Sequence, residues 1–143
     1  MSTISTDSQL EYELQELYIL SQHWLQDLSF LEDEMHFFKN ILRKYQETGT
    51  LNEVPSKAQD LTAKIREQEL HLESLKIMVP EFLRFLEPFI GGQRKEMDLG
   101  FLEKYNKLET ALRTLFAAIK ATKQELFSYT EAIMTVEKAV QTP

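Results

Sequence analysis

The sequence contains no cysteine, which removes disulfides, thiolate nucleophiles and Cys-ligated zinc or iron–sulfur centres from consideration. Its four glycines and four prolines in 143 residues are too few for a chain built of many turns. No basic residue precedes Lys39, and the opening MSTISTDSQLEYELQ lacks the basic and apolar regions of a secretory signal. The longest unbroken apolar run, Leu115 to Ile119, falls far short of the ~20 residues that span a bilayer. Ser2 stands where myristoylation needs glycine, and Gln141-Thr142-Pro143 is no prenylation signal. The expectation is a cytoplasmic protein without a membrane partner. Acids outnumber bases 23 to 16, a net charge of −7 whose sign argues against a nucleic-acid partner. Charged residues at 27% and hydrophobic ones at 43% nevertheless suit a chain that folds.

What is present is helical periodicity. Punctuation concentrates between Thr48 and Ser56 and at Gly91-Gly92, leaving three long segments. Ser8 and Glu11 have capping-box spacing near the start of the first, and Gly49 suits its C-cap. Ser56 with Gln59 opens the second, and the third opens between Gln93 and Asp98. Alternating steps of four and three residues trace a seam from Leu10 to Tyr45, another from Leu61 to Phe89 and a third from Phe101 to Val140. Of 32 seam positions 29 are apolar, against about 14 expected from composition, so the repeat is a heptad and not chance. Ser21, Gln68 and Thr122 are the exceptions.

Short connections make neighbouring helices antiparallel. The fold class is therefore all-α: an antiparallel up-down-up three-helix bundle with long heptad-patterned helices, one domain over 1–143 with helices about 7–48, 56–90 and 96–140. Pro80 interrupts the second segment, but the seam stays in phase across it, which predicts a kinked, continuous helix; the alternative is two helices with Pro80 in the first turn of the second. If Phe89 lies level with Phe101, Gln68 lies level with Thr122, and the two polar seam residues form a buried pair that fixes register. The same reasoning applied to the first turn faces Trp24 with Phe82 and predicts that the indole is buried, with Leu108 in its layer.

Residues that might carry chemistry are sparse. A ferritin-like di-metal site needs inward-facing Glu from two helices and Glu-x-x-His from two more. The nearest matches, Asp33-x-x-His36 and Glu67-x-x-x-His71, lie off the seams, where they face water. His23, His36 and His71 have no second His at ligand spacing, no seam position holds a haem-ligating His, and no Gly-rich phosphate loop follows a strand. Catalytic, cofactor-binding and metal residues are accordingly none, with a carboxylate-rich metal-binding bundle as the alternative. A membrane-surface helix is disfavoured by the acidic balance.

One feature exceeds what a three-helix core requires. Ile19, Phe30, Phe37 and Ile41 lie off the first seam, and Phe116, Phe127 and Met134 lie off the third. Phe30 and Phe37, one heptad apart at c positions, mark a partner or dimer surface with Ile19, Ile41 and Phe127. A basic stretch around Lys120, Lys123 and Phe127 suits the acidic neighbours Asp27, Asp33 and Glu34. The run His23-Trp24, Leu28-Ser29-Phe30, Asp33-Glu34 and Phe37-Phe38 resembles the first helix of a loosely defined group of small, uncharacterised bacterial helical proteins. That resemblance implies a helical bundle and brings no activity, cofactor or site residue. The functional expectation is a non-enzymatic structural or protein-interaction module that self-associates or binds a protein partner.

Overall fold

A computed structural model describes residues 2–47, 55–90 and 100–141, with side-chain surroundings within 12–45, 57–90 and 100–135. The described residues form three α-helices, α1 (Ser2–Glu47), α2 (Pro55–Ile90) and α3 (Gly100–Gln141). They pack as an all-α three-helix bundle. α1 begins at Ser2, ahead of the expected start near Asp7, so Ser8 lies inside the helix and its spacing to Glu11 does not mark the N-terminus. α2 begins at Pro55, one residue before the expected Ser56; its ring presets φ for a first helical turn and its missing N–H is one that no helix satisfies there. The expected breaks at Gly49, Gly91-Gly92, Gln93 and Asp98 lie outside the described residues.

α2 runs without interruption through Pro80, so the two-helix alternative does not hold. The proline offers no N–H to the Lys76 carbonyl, a defect that costs about 3 kcal/mol in a regular helix. Burial offsets it. Val79, Phe82, Leu83 and Leu86 are all buried around it, and each such side chain contributes roughly 1.5–3 kcal/mol.

Every described seam residue is buried except Leu17, Trp24, Tyr45 and Tyr105, which are half-buried. The polar exceptions are buried with the rest, and each finds a partner suited to its size. Ser21 donates to the Leu17 carbonyl one turn back at 2.7 Å. Gln68 and Thr122 are too far apart in sequence for such local closure and bond across helices, as described below.

The chain packs as two compact units, each assembled from all three helices. Unit 1 comprises residues 1–29 and 73–112, and unit 2 comprises 30–72 and 113–143. In unit 1 an aromatic cluster joins the helices: Phe82 of α2 stacks on Phe101 with centroids 6.4 Å apart, and Trp24 of α1 stacks on Tyr105 of α3 at 5.2 Å. Trp24 does face Phe82, at 6.4 Å, but it is half-buried and not enclosed as expected. The indole is wide, and Tyr105 shares its layer, so the ring lies over the seam's edge. In unit 2 the core is Leu31, Met35, Phe38, Leu61, Ile65, Ile119 and Leu126, each almost wholly withdrawn from solvent.

Candidate functional site

Unit 2 holds the groups that can do more than pack. Gln68 Nε2 donates to Thr122 Oγ1 at 2.7 Å and to the Ala118 carbonyl at 3.2 Å, so the structure brings the two polar seam residues into one layer. Gln68 Oε1 is buried and accepts no hydrogen bond. Around this layer, lysines on the helix flanks tie neighbours together. Lys39 of α1 meets Glu69 of α2 at 2.8 Å, Lys64 of α2 donates to both oxygens of Glu125 of α3 at 2.9 and 3.1 Å, and Lys123 of α3 meets Glu34 of α1 at 3.1 Å. The Glu125 hydrogen bonds hold the Lys64 ammonium above its ordinary pKa of 10.5, against a smaller opposing cost of burial. These pairs are partly exposed, and solvent screening makes them weak sources of stability that bias register instead.

The Glu34–Lys123 pair organises a surface. Its ammonium also lies 5.9 Å from the centroid of the Phe127 ring, a cation–π arrangement. Phe30 and Phe37 flank Glu34 at one turn on either side, as i−4 and i+3. Phe30, Phe37 and Phe127 are 59%, 54% and 39% exposed. The expected surface is thus divided. Phe30, Phe37 and Phe127 lie open in unit 2, Ile41 is half-buried there, and Ile19 is exposed in unit 1. Of the basic stretch expected around Lys120, Lys123 and Phe127, Lys123 is taken up by Glu34, and Lys120 is the exposed cation.

Two grooves open between helices. In unit 1, Phe82, Phe85, Met78 and Leu108 line a hollow of about 230 Å³ whose rim carries Lys104, with its ammonium 4.2 Å above the Phe85 ring. In unit 2 a groove of about 310 Å³ runs between α1 and α2, with Lys39 and Arg43 on one wall and Arg66 and Glu69 on the other. Sequence reasoning did not find this groove, since its walls come from two helices and its basic residues are scattered among acids.

The three histidines are exposed, and His36 and His71 do no more than approach Glu32 and Glu67 on their own helices at 3.9 and 4.0 Å. Among the described residues no three His, Asp or Glu side chains are placed to hold a metal ion together. No helix among them is long and apolar enough to cross a membrane. No protein-family model, no curated protein sequence and no solved structure matches the chain.

Proposed function

We propose that the protein is a non-catalytic interaction module that self-associates through the α1–α3 face of unit 2. The observation that carries this reading is three exposed phenylalanines gathered about an ion pair already neutralised within the chain. Burying a Phe contributes roughly 1.5–3 kcal/mol, so leaving three open forgoes a sizeable part of a small protein's stability. A second copy recovers it.

Because Glu34 is balanced by Lys123, two such faces meet without a bare carboxylate at the centre. Exposed Asp33 lies toward the α1 edge and exposed Lys120 on α3. A twofold arrangement with α1 of one copy over α3 of its partner sets Asp33 against Lys120, whereas α1 over α1 opposes acid to acid. At about 150–250 Å² for a whole Phe, the exposed parts of the three rings amount to roughly 300 Å². That is over a third of the ~800 Å² each partner contributes to a stable interface, with Ile41, Met134 and the aliphatic stems left to supply the rest.

Light scattering and sedimentation across a concentration series test the reading. The parent should show a concentration-dependent dimer, and the double change Phe30→Ser, Phe37→Ser should be monomeric with helicity intact. A parent that stays monomeric at millimolar concentration overturns it.

A further inference from the structure

The α1–α2 groove of unit 2 holds an imbalance that nothing among the described residues resolves. Lys39, Arg43 and Arg66 line it, against the single carboxylate of Glu69. Lys39 meets Oε2 of that carboxylate at 2.8 Å, while its Oε1 is buried without a hydrogen-bond partner. Arg43 and Arg66, on opposite walls, pair with no carboxylate among the described residues, although the chain carries 23 acids against 16 bases. Four lysines of the same unit, Lys39, Lys57, Lys64 and Lys123, do reach a carboxylate. Two guanidinium groups sharing one groove repel one another, and an acidic protein had many opportunities to place a carboxylate between them.

The rest of the lining narrows what would sit there. Leu42 and Ile65 form an apolar floor, buried and without donors. The Thr62 hydroxyl is spent on the Ala58 carbonyl at 2.8 Å, so it is not a free donor. The recognition groups are therefore two planar forks, which match tetrahedral oxyanions through paired N–H···O bonds better than they match a spherical halide. Two exposed guanidinium groups without a carboxylate partner suit a dianion. At about 310 Å³ the groove lies at the small end of ligand sites, which suits a single phosphoryl group with a short substituent and not a polyanionic strand.

We propose that this groove binds a phosphate dianion, free or as a small phosphomonoester, held between Arg43 and Arg66. The net charge of −7 disfavours polyanions over the molecule as a whole, yet it does not govern a site where the local balance is positive, because screening confines each charge's reach to about 8 Å at physiological salt.

The test is titration of the full chain with inorganic phosphate and with glycerol 3-phosphate at pH 7.5, read by calorimetry and by the arginine side-chain NMR signals. Sodium chloride at matched ionic strength is the control. Saturable binding of both phosphates is expected, with shifts at Arg43 and Arg66 that chloride does not reproduce. Arg43→Gln and Arg66→Gln should each weaken binding at least tenfold, while Lys44→Gln, an exposed cation outside the groove lining, should leave it unchanged. Circular dichroism of each variant checks that the helices persist. Shifts equalled by chloride, or binding retained in the Arg43→Gln, Arg66→Gln double variant, overturn the proposal.

Discussion

Gln68 donates twice through its amide nitrogen while its buried oxygen accepts nothing, so the layer it shares with Thr122 is satisfied on one side only. Thr122→Val should therefore cost about 1–2 kcal/mol, because it removes an acceptor from an amide that cannot reach water. Adding Gln68→Leu should recover that loss or exceed it, since the double change removes the unmet oxygen as well. Urea unfolding of the two single variants and the double one measures the coupling. An unchanged midpoint in Thr122→Val would show that the 2.7 Å bond does not contribute. Trp24 offers a second measurement at this scale. Its half-buried ring against Tyr105 and Phe82 should emit between the buried and the fully solvated limits. Trp24→Ala should cost less than the ~3–5 kcal/mol of a fully enclosed aromatic.

At the scale of the element, α2 keeps its path through Pro80 because the residues around it are committed to the core on both sides. Pro80→Ala restores a donor to the Lys76 carbonyl and removes the ring's clash, and should raise stability by about 1–3 kcal/mol with the seam unchanged. A lower melting temperature for this variant would mean that the surrounding side chains have packed onto the ring itself. The heptad seams were legible in sequence because burial follows a period, and a period survives without any knowledge of partners. Gln68 and Thr122 were legible for a related reason: a polar residue in an apolar seam needs a neighbour, and an antiparallel turn nearly fixes which one. The Glu34–Lys123 pair was not, since α1 and α3 are not joined by a turn from which their relative register could be read. Leu83 and Thr130 were missed as buried residues because they lie off the seam, Thr130 closing its hydroxyl onto the Phe127 carbonyl at 2.9 Å. Arg43 and Arg66 were passed over because a charge count along one helix cannot show what two helices put into one groove.

At the scale of the whole molecule, the perturbed groups among the described residues act with one sign. Burial raises the Tyr129 and Tyr105 phenols above 10.0, aided at Tyr105 by Glu109, and the hydrogen bonds of Glu125 raise Lys64 above 10.5. A raised folded-state pKa confers stability that is complete below the unfolded value and is lost as pH climbs through the folded one. Melting temperature should therefore hold level from about pH 7 to 9 and fall beyond pH 10. Tyr129→Phe, which also removes a buried hydroxyl without a partner, should melt no lower than the parent at pH 8 and show a shallower alkaline decline. An alkaline profile identical to the parent's would show that Tyr129 does not titrate with unfolding.

The division into two units has a consequence for how the chain is made. Neither unit is a continuous stretch; each waits for residues that the ribosome delivers late. Within unit 2, residues 30–72 are made well before 113–143, so the unit is complete only once the latter have followed. At about 5–20 residues per second, the ~40 intervening residues take roughly 2–8 s to synthesise. Throughout that interval Gln68 lacks Thr122 and Glu34 lacks Lys123. Unit 1, spanning 1–29 and 73–112, can close while the other still waits. Birth order thus completes the residues of unit 1 before those of unit 2.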